Sequence, residues 1–213
     1  MYLSRVEIDT NNRRKIHDLT HLGAYHNWVE SSFPQEFDDG IRSRKLWRID
    51  RINNKNYLLI VSASKPDIKL LERYGVEGSG SYKEYDNYVN SFEKGDKVNF
   101  KVTLNPVVSI SNGRNRRGRV VPCYSDVSQL EYFSKKAEKH GFKIMDENIE
   151  ITQKCNRILK KKGFKDQAIY TAIFEGVVIV ENESIFKDTL LHGIGRKKAY
   201  GCGLMTAIKR NDI

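Results

Sequence analysis

The side chains able to do chemistry in this sequence are few, and His26 is the best placed of them. It follows Tyr25, precedes Asn27 and Trp28, and stands three residues after Gly23. An imidazole titrates near neutrality, so it can accept a proton and return it within one reaction. A single histidine on a helix is more often structural, so its surroundings must decide. His17 and His21 are spaced by one helical turn, a spacing able to hold a metal, yet no carboxylate or cysteine completes a ligand set near them. His140 and His192 have weaker contexts, and Asp38-Asp39-Gly40 reads as a loop. Cys123, Cys155 and Cys202 are far apart and form no CxxC pair, which points to small buried apolar groups in a reducing cytoplasm, not to disulfides or zinc. Nothing in the sequence calls for a cofactor or a metal.

The second feature is the segment from Gly193 to Met205, where Gly193, Gly195, Gly201 and Gly203 surround Arg196, Lys197 and Lys198. Glycines let backbone N–H groups curve toward a phosphate, and the cations supply charge there. A helix-like run, Ile185 to Leu191, precedes the segment and a strand-like run, Gly203 to Ile208, follows it. P-loops and dinucleotide fingerprints need the opposite order. Taken alone, such a turn serves equally well as a helix C-cap.

Two more basic stretches accompany it: Arg114, Arg116, Arg117 and Arg119 around Asn115 and Gly118, and Lys160, Lys161, Lys162 and Lys165 around Gly163. Each by itself is an ordinary solvated surface. Together with 37 Lys and Arg against 27 Asp and Glu, a net charge of +10 and a pI near 9.4, they point to one phosphate-binding face. RNA fits better than DNA, since neither a helix-turn-helix nor a zinc finger is evident, although an RNP1 motif is missing too. No stretch approaches the ~20 apolar residues of a membrane span, and the start of the chain does not read as a secretion signal.

The elements that must position these groups read as β, α, β, β, α, β, twice. In the first half, Tyr2–Ile8 alternates as a strand. A two-piece helix starts near Arg13, breaks at Gly23 and ends by Phe33-Pro34; residues 35–43 form a loop. Strands at 45–50 and 57–62 follow, then a helix from Asp67 to Tyr74, a flexible loop at 78–81, a polar, tyrosine-rich run from Tyr82 to Phe92, and a strand at 97–104. The second half has a strand at 104–110 running into the first basic loop, a return at 118–122, and a helix capped by Ser125 or Asp126 and closed by Gly141. Strands at 142–155 and 169–180, a helix at 183–191 and a last strand complete it. This predicts an α+β protein of two tandem ferredoxin-like (βαββαβ) domains, 1–98 carrying His26 and 99–213 carrying the basic loops, although one continuous sheet would satisfy the same order.

Several of these segments resemble the CasE family, also called Cse3, the repeat-RNA endoribonucleases of type I-E CRISPR systems within the RAMP superfamily. Met1-Tyr2-Leu3-Ser4-Arg5-Val6 is similar to the family's start, Leu46-Trp47-Arg48-Ile49 to its second strand, and Asn105-Pro106 to its Asn-Pro. Phe174-Glu175-Gly176 and the run from Gly193 to Leu204 are similar to its C-terminal signature. The resemblance implies two ferredoxin-like domains and metal-independent cleavage of precursor CRISPR RNA at the repeat stem-loop. It also implies retention of the mature crRNA in Cascade beside other subunits, the CasC-type backbone subunit among them. The family's catalytic histidine falls on His26, and its helping tyrosine falls three residues earlier on Gly23, which leaves Tyr25 as the substitute.

The chemistry implied needs no metal: the RNA's own 2′-OH attacks the adjacent phosphorus, a base removes its proton and an acid protonates the leaving 5′ oxygen. Products would be a 2′,3′-cyclic phosphate and a 5′-OH. A non-catalytic subunit holding a processed guide is the alternative, motivated by glycine at position 23; a ribosome-associated or structural RNA protein is a third reading, motivated only by charge and fold.

Overall fold

The computed structural model describes residues 1–113, 116, 118–160 and 163–210 and, for 146–148, the backbone alone. Four of the expected RNA-contacting cations, Arg114, Arg117, Lys161 and Lys162, lie outside those residues.

The first half runs β1 (Tyr2–Glu7), α1 (Arg13–Ile16), α2 (Leu22–Ser31), α3 (Pro34–Asp38), β2 (Leu46–Ile52), β3 (Lys55–Ser62), α4 (Ile68–Leu71), β4 (Ser81–Glu84) and α5 (Asp86–Asn90). Side-chain acceptors cap three of these helices: Asn12 takes the Lys15 N–H, His21 that of Ala24 and Asp67 that of Leu70. Asn53 and Asn54 both have positive φ, the geometry that closes a two-residue hairpin between β2 and β3. The sheet is antiparallel in the order β2-β3-β1-β4.

The second half runs β5 (Lys97–Leu104), β6 (Val107–Ile110), β7 (Arg119–Pro122), α6 (Asp126–Ala137), β8 (Phe142–Leu159), β9 (Gln167–Val180), α7 (Glu183–His192) and β10 (Met205–Lys209). Its sheet, β10-β5-β9-β8, repeats the first: each half's opening strand lies between its fourth and third. The fold is therefore two tandem ferredoxin-like domains, with β6 and β7 as a separate hairpin inserted ahead of α6.

Four expectations change. The strand at 97–104 opens the second sheet and does not close the first, so a boundary at 98–99 would cut β5; the connection between sheets lies before it. The first sheet's fourth strand is β4, where the sequence read as a loop ending at Ser81 and a polar run from Tyr82, and all four of its residues are exposed. The loop at 35–43 contains α3, opened by Pro34 at its first turn. The N-terminal helix breaks over 17–21 and not at Gly23, so His17 ends α1, His21 caps α2, and the two do not share a helix face.

The two cores interlock. Leu46 and Val61 of the first sheet, with Tyr85, Val89 and Phe92, pack into the cluster built on Phe100, Phe133, Phe174 and Phe186. In return β8 and β9 run beyond the part of β9 that pairs with β5, and this arm buries Leu159 and Ile169 among Leu22, Trp28 and Trp47. Each domain thus completes part of the other's interior, which fixes their relative position by packing.

Candidate active site

Helix α2 carries His26 and is anchored from beneath by Trp28, which is fully buried and donates its indole N–H to the Leu71 carbonyl at 3.0 Å. His26 itself is partly exposed and meets the ring of Tyr200, edge to face, at 5.5 Å. Tyr200 belongs to the glycine-rich loop, so the imidazole of one domain sits against the loop of the other. Glu30, one turn along α2, places a carboxylate oxygen 3.8 Å from His26 Nδ1. Trp47 fixes this contact: its indole donates to the Ala199 carbonyl at 3.0 Å, and its ring lies where a side chain on Gly201 would have to go, 2.8 Å from an ideal Cβ.

Tyr25 points about 100° away from His26 around the helix. Its ring stacks on Trp47 at 5.9 Å and leans on Trp28, and it lines a cavity of about 330 Å3 with His21 and Arg157 of β8. Burial raises the phenol's pKa, against the opposing charge of Arg157, so at neutral pH Tyr25 offers a hydrogen and not a base. The other histidines have other partners. His21 accepts the Ala24 N–H, His17 pairs with Asp18, and His192 lies 3.4 Å from Asp188. Burial, helped by Lys136 and Lys198, pushes His140 down to about 4, so it stays neutral beside Thr189. Cys202 is buried and its thiol is pushed up to about 12, which makes it inert, and Cys123 is buried as well.

At position 23 the glycine has a steric cause. An ideal Cβ there would lie 2.7 Å from the Lys160 carbonyl, so the end of β8 presses on α2 where a larger residue would stand. Tyrosine cannot occupy this place without moving the arm.

In the glycine-rich loop, Gly193, Gly195, Gly201 and Gly203 all have positive φ. Gly193 is the C-cap of α7, with its N–H on the Thr189 carbonyl, and Gly203 donates to the Thr103 carbonyl at 2.7 Å. Gly193, Gly201 and Gly203 are buried, so they shape the loop rather than meet a ligand; the C-cap reading holds for the first of them. Lys198 donates to the His192 and Gly193 carbonyls, and burial lowers its pKa, so it is a helix-terminus group. Arg196 and Lys197 are exposed.

The remaining basic groups lie on loops whose ends come near one another. Arg116, Arg119, Lys160 and Lys165 are exposed. A cleft of about 180 Å3 is lined by Val120 next to Arg119, by Gln167 two residues past Lys165, and by Lys197. The bases of all three basic loops therefore share one cleft. Asn105 braces it by donating to the Tyr170 carbonyl at 2.7 Å. The places of Tyr200 and Arg157 in the site were missed in the sequence: Tyr200 lies within the glycine-rich signature but Arg157 in no motif, and each reaches the site only through contacts more than a hundred residues away in the chain. Among the described residues no three His, Cys, Asp or Glu side chains cluster as metal ligands, and no helix is long and apolar enough to cross a membrane.

Comparison with known proteins agrees with this architecture. The chain is 20% identical over 217 residues, covering 97% of it and 99% of the relative, to the CRISPR-associated endoribonuclease Cse3 of Thermus thermophilus. The structure of Thermus thermophilus Cse3 bound to an RNA representing a pre-cleavage complex superposes with a TM-score of 0.78 at 20% identity, covering 97% of this chain and 98% of that one. A chain of a CRISPR RNA-guided surveillance complex, pre-nicking, superposes with a TM-score of 0.70 at 19% identity, covering 97% and 99%. At these identities the superpositions establish the fold. The family model described as CRISPR associated protein matches residues 1–209, and the chain belongs to that family.

Proposed function

We propose that this protein is a metal-independent endoribonuclease that cuts precursor CRISPR RNA at the repeat stem-loop and stays on the mature crRNA within a Cascade assembly. The observation that carries the reading is the contact of His26 with Tyr200, which puts the partly exposed imidazole of α2 at the edge of the cationic loop. The 2′-OH of the scissile nucleotide attacks its own phosphorus; His26 takes that proton or delivers one to the departing 5′ oxygen. Arg157 and Lys197 supply positive charge for the crowded phosphorane, and Tyr25, held protonated by burial, donates a hydrogen bond from the cavity it shares with Arg157. The exposed cations Arg116, Arg119, Lys160, Lys165, Arg196 and Lys197 grip the phosphates of the hairpin. The relatives support this reading by what they are: a CRISPR-associated endoribonuclease, an RNA complex of it, and a chain of an RNA-guided surveillance complex.

One observation favours a second reading. With the Lys160 carbonyl over Gly23, the place of the family's helping tyrosine is filled by backbone, as in a subunit that holds a processed guide without cutting it. Repeat RNA incubated with the protein in EDTA decides between them. Cleavage leaving a 2′,3′-cyclic phosphate, abolished by a 2′-deoxy substitution at the scissile nucleotide, is the expected result; tight binding with intact RNA would establish the guide-holding subunit instead.

A further inference from the structure

Between α6 and the β6–β7 hairpin lies a groove of about 520 Å3, on the side of the hairpin away from Lys197. One stripe of α6 forms its floor: Ser128, Tyr132 and Lys136 at spacings of four residues, with Lys135 beside them and Lys139 just past the helix. A helix packed against its own hairpin would ordinarily show aliphatic side chains on such a stripe; here, beside the buried Tyr132, it shows a hydroxyl, a carboxylate and amines. The facing wall includes Tyr124, which is 64% exposed and whose ring is held edge-on against Tyr170 at 5.0 Å. Glu131 is the acidic side chain lining the groove, and it lies 3.9 Å from Lys135.

The groove adjoins the glycine-rich loop through Tyr132, which is buried. The Tyr132 hydroxyl lies 3.4 Å from where a Cβ on Gly195 would be, and the Arg196 charge acts on that phenol. The same loop carries Tyr200 against His26 a few residues on. Beyond this loop, as seen from the candidate cleavage site, lies a groove with cations along its floor and an exposed aromatic ring on its wall.

We propose that the groove binds single-stranded RNA flanking the hairpin, with phosphates on Lys135, Lys136 and Lys139 and one base stacked on Tyr124. This rests on the repeat-RNA reading above. Duplex RNA does not fit the same features, because its bases are already stacked and offer no free face to a tyrosine. A positively charged groove with aromatic side chains is what sequence-tolerant single-strand binding requires.

The test uses the full chain and four labelled RNAs: the stem-loop of its CRISPR repeat alone, the same stem-loop with an oligo-uridine extension on its 5′ or on its 3′ side, and oligo-uridine alone. Wild type should bind one extended RNA about tenfold or more tighter than the bare stem-loop. The Lys135→Ala/Lys136→Ala/Lys139→Ala protein should lose that gain, with the slope of log K against log salt reduced by about 2 for three single-strand phosphates. Tyr124→Ala should lose about fivefold or more on the same RNA, and neither variant should change affinity for the bare stem-loop or the melting temperature. An extension that adds nothing in wild type, or an equal loss on extended and bare RNA, overturns the proposal. Should wild type fail to bind the stem-loop at all, the repeat-RNA reading falls by itself, and the oligo-uridine titration of wild type against the triple variant still decides the groove: equal affinities overturn it, a loss of tenfold or more upholds it.

Discussion

Glu30 holds one carboxylate oxygen 3.8 Å from His26 Nδ1 and the other 3.2 Å from the ammonium of Lys45, whose side chain is almost fully buried. Lys45 in turn contacts Glu36 at 2.6 Å. The imidazole is thereby tied, through one shared carboxylate, to a charge cluster in the interior of its own domain.

His26→Ala removes the proposed proton-transfer group and leaves the basic loops untouched. Single-turnover cleavage of repeat RNA should fall by about 10²–10⁴-fold, the usual loss of an acid–base group, while the dissociation constant for the stem-loop changes little. Cleavage at the wild-type rate would remove His26 from the mechanism.

Glu30→Gln should act more mildly and in the same direction. A partly exposed pair contributes about 1 kcal/mol or less, which corresponds to about fivefold in rate. The single-turnover rate should drop by about that factor at unchanged affinity. A fall in affinity without a fall in rate would mean that Glu30 shapes the RNA surface and does not orient the imidazole.

How much of this could be read from the chain depended on whether the signal was local. The C-cap at Gly193, the cap at Ser125 and the doubled βαββαβ order follow from residues within a few positions of one another, whereas the place of His26 rested on the family resemblance. β4 does not: Ser81, Tyr82, Lys83 and Glu84 are all exposed, so this edge strand has no alternation to betray it, and the domain boundary was misplaced as a result. Tyr200 and Arg157 join the site, and Leu159 and Ile169 join the first domain's core, only because the β8–β9 arm and the glycine-rich loop cross to the other domain. No window of sequence contains that information. The stripe on α6 was visible as a helix, but its partner across the groove was not.

Glu36 makes stability depend on acidity. Burial raises its pKa, yet hydrogen bonds from Lys45, from the Ser43 and Ser64 hydroxyls and from the Ser43 N–H outweigh that and hold it down to about 2. An unfolded glutamate titrates near ~4.3, so the folded state binds fewer protons between those values. The contribution is fully present above about pH 5 and is lost as pH falls toward about 2. Glu36→Gln should cost up to about 3 kcal/mol at neutral pH, the low end for a broken buried pair because Lys45 keeps Glu30. Melting curves of wild type and variant should converge as pH is lowered from 5 to 2, and a constant gap would show that the carboxylate's ionisation is not the source.

Gly23→Ala tests the approach of β8 to α2. On an exposed helix this change is stabilising by ~1 kcal/mol. Here the new Cβ would meet the Lys160 carbonyl at 2.7 Å, and overpacking costs about 1–3 kcal/mol. The melting temperature should therefore fall, and stem-loop affinity with it, since Lys160 and Lys165 flank the turn that the arm carries. Gly23→Tyr should be worse on both counts and should not raise the cleavage rate. A faster Gly23→Tyr enzyme would show that the arm yields and that the absent tyrosine was limiting.

Arg48 sets the register between the two domains. It is 2% exposed, pairs with Asp50 through two hydrogen bonds of 2.7 Å, and reaches across to the Leu204 carbonyl at 2.9 Å and the Thr206 hydroxyl at 2.8 Å on the second sheet. Its neighbour Trp47 holds Ala199, so the same strand fixes both the sheet contact and the loop that carries Tyr200. Arg48→Met leaves Asp50 charged and buried without its partner, a loss of about 3–5 kcal/mol. Arg48→Lys keeps the charge but cannot form the planar two-pronged contact while also reaching the second sheet. Both proteins should melt lower than wild type. Because His26 and Tyr200 come from opposite sides of this seam, Arg48→Lys, the milder change, should slow cleavage by more than it weakens stem-loop binding. Binding and cleavage that decline in equal proportion would mean that the seam only holds the protein together and does not position the imidazole against the loop.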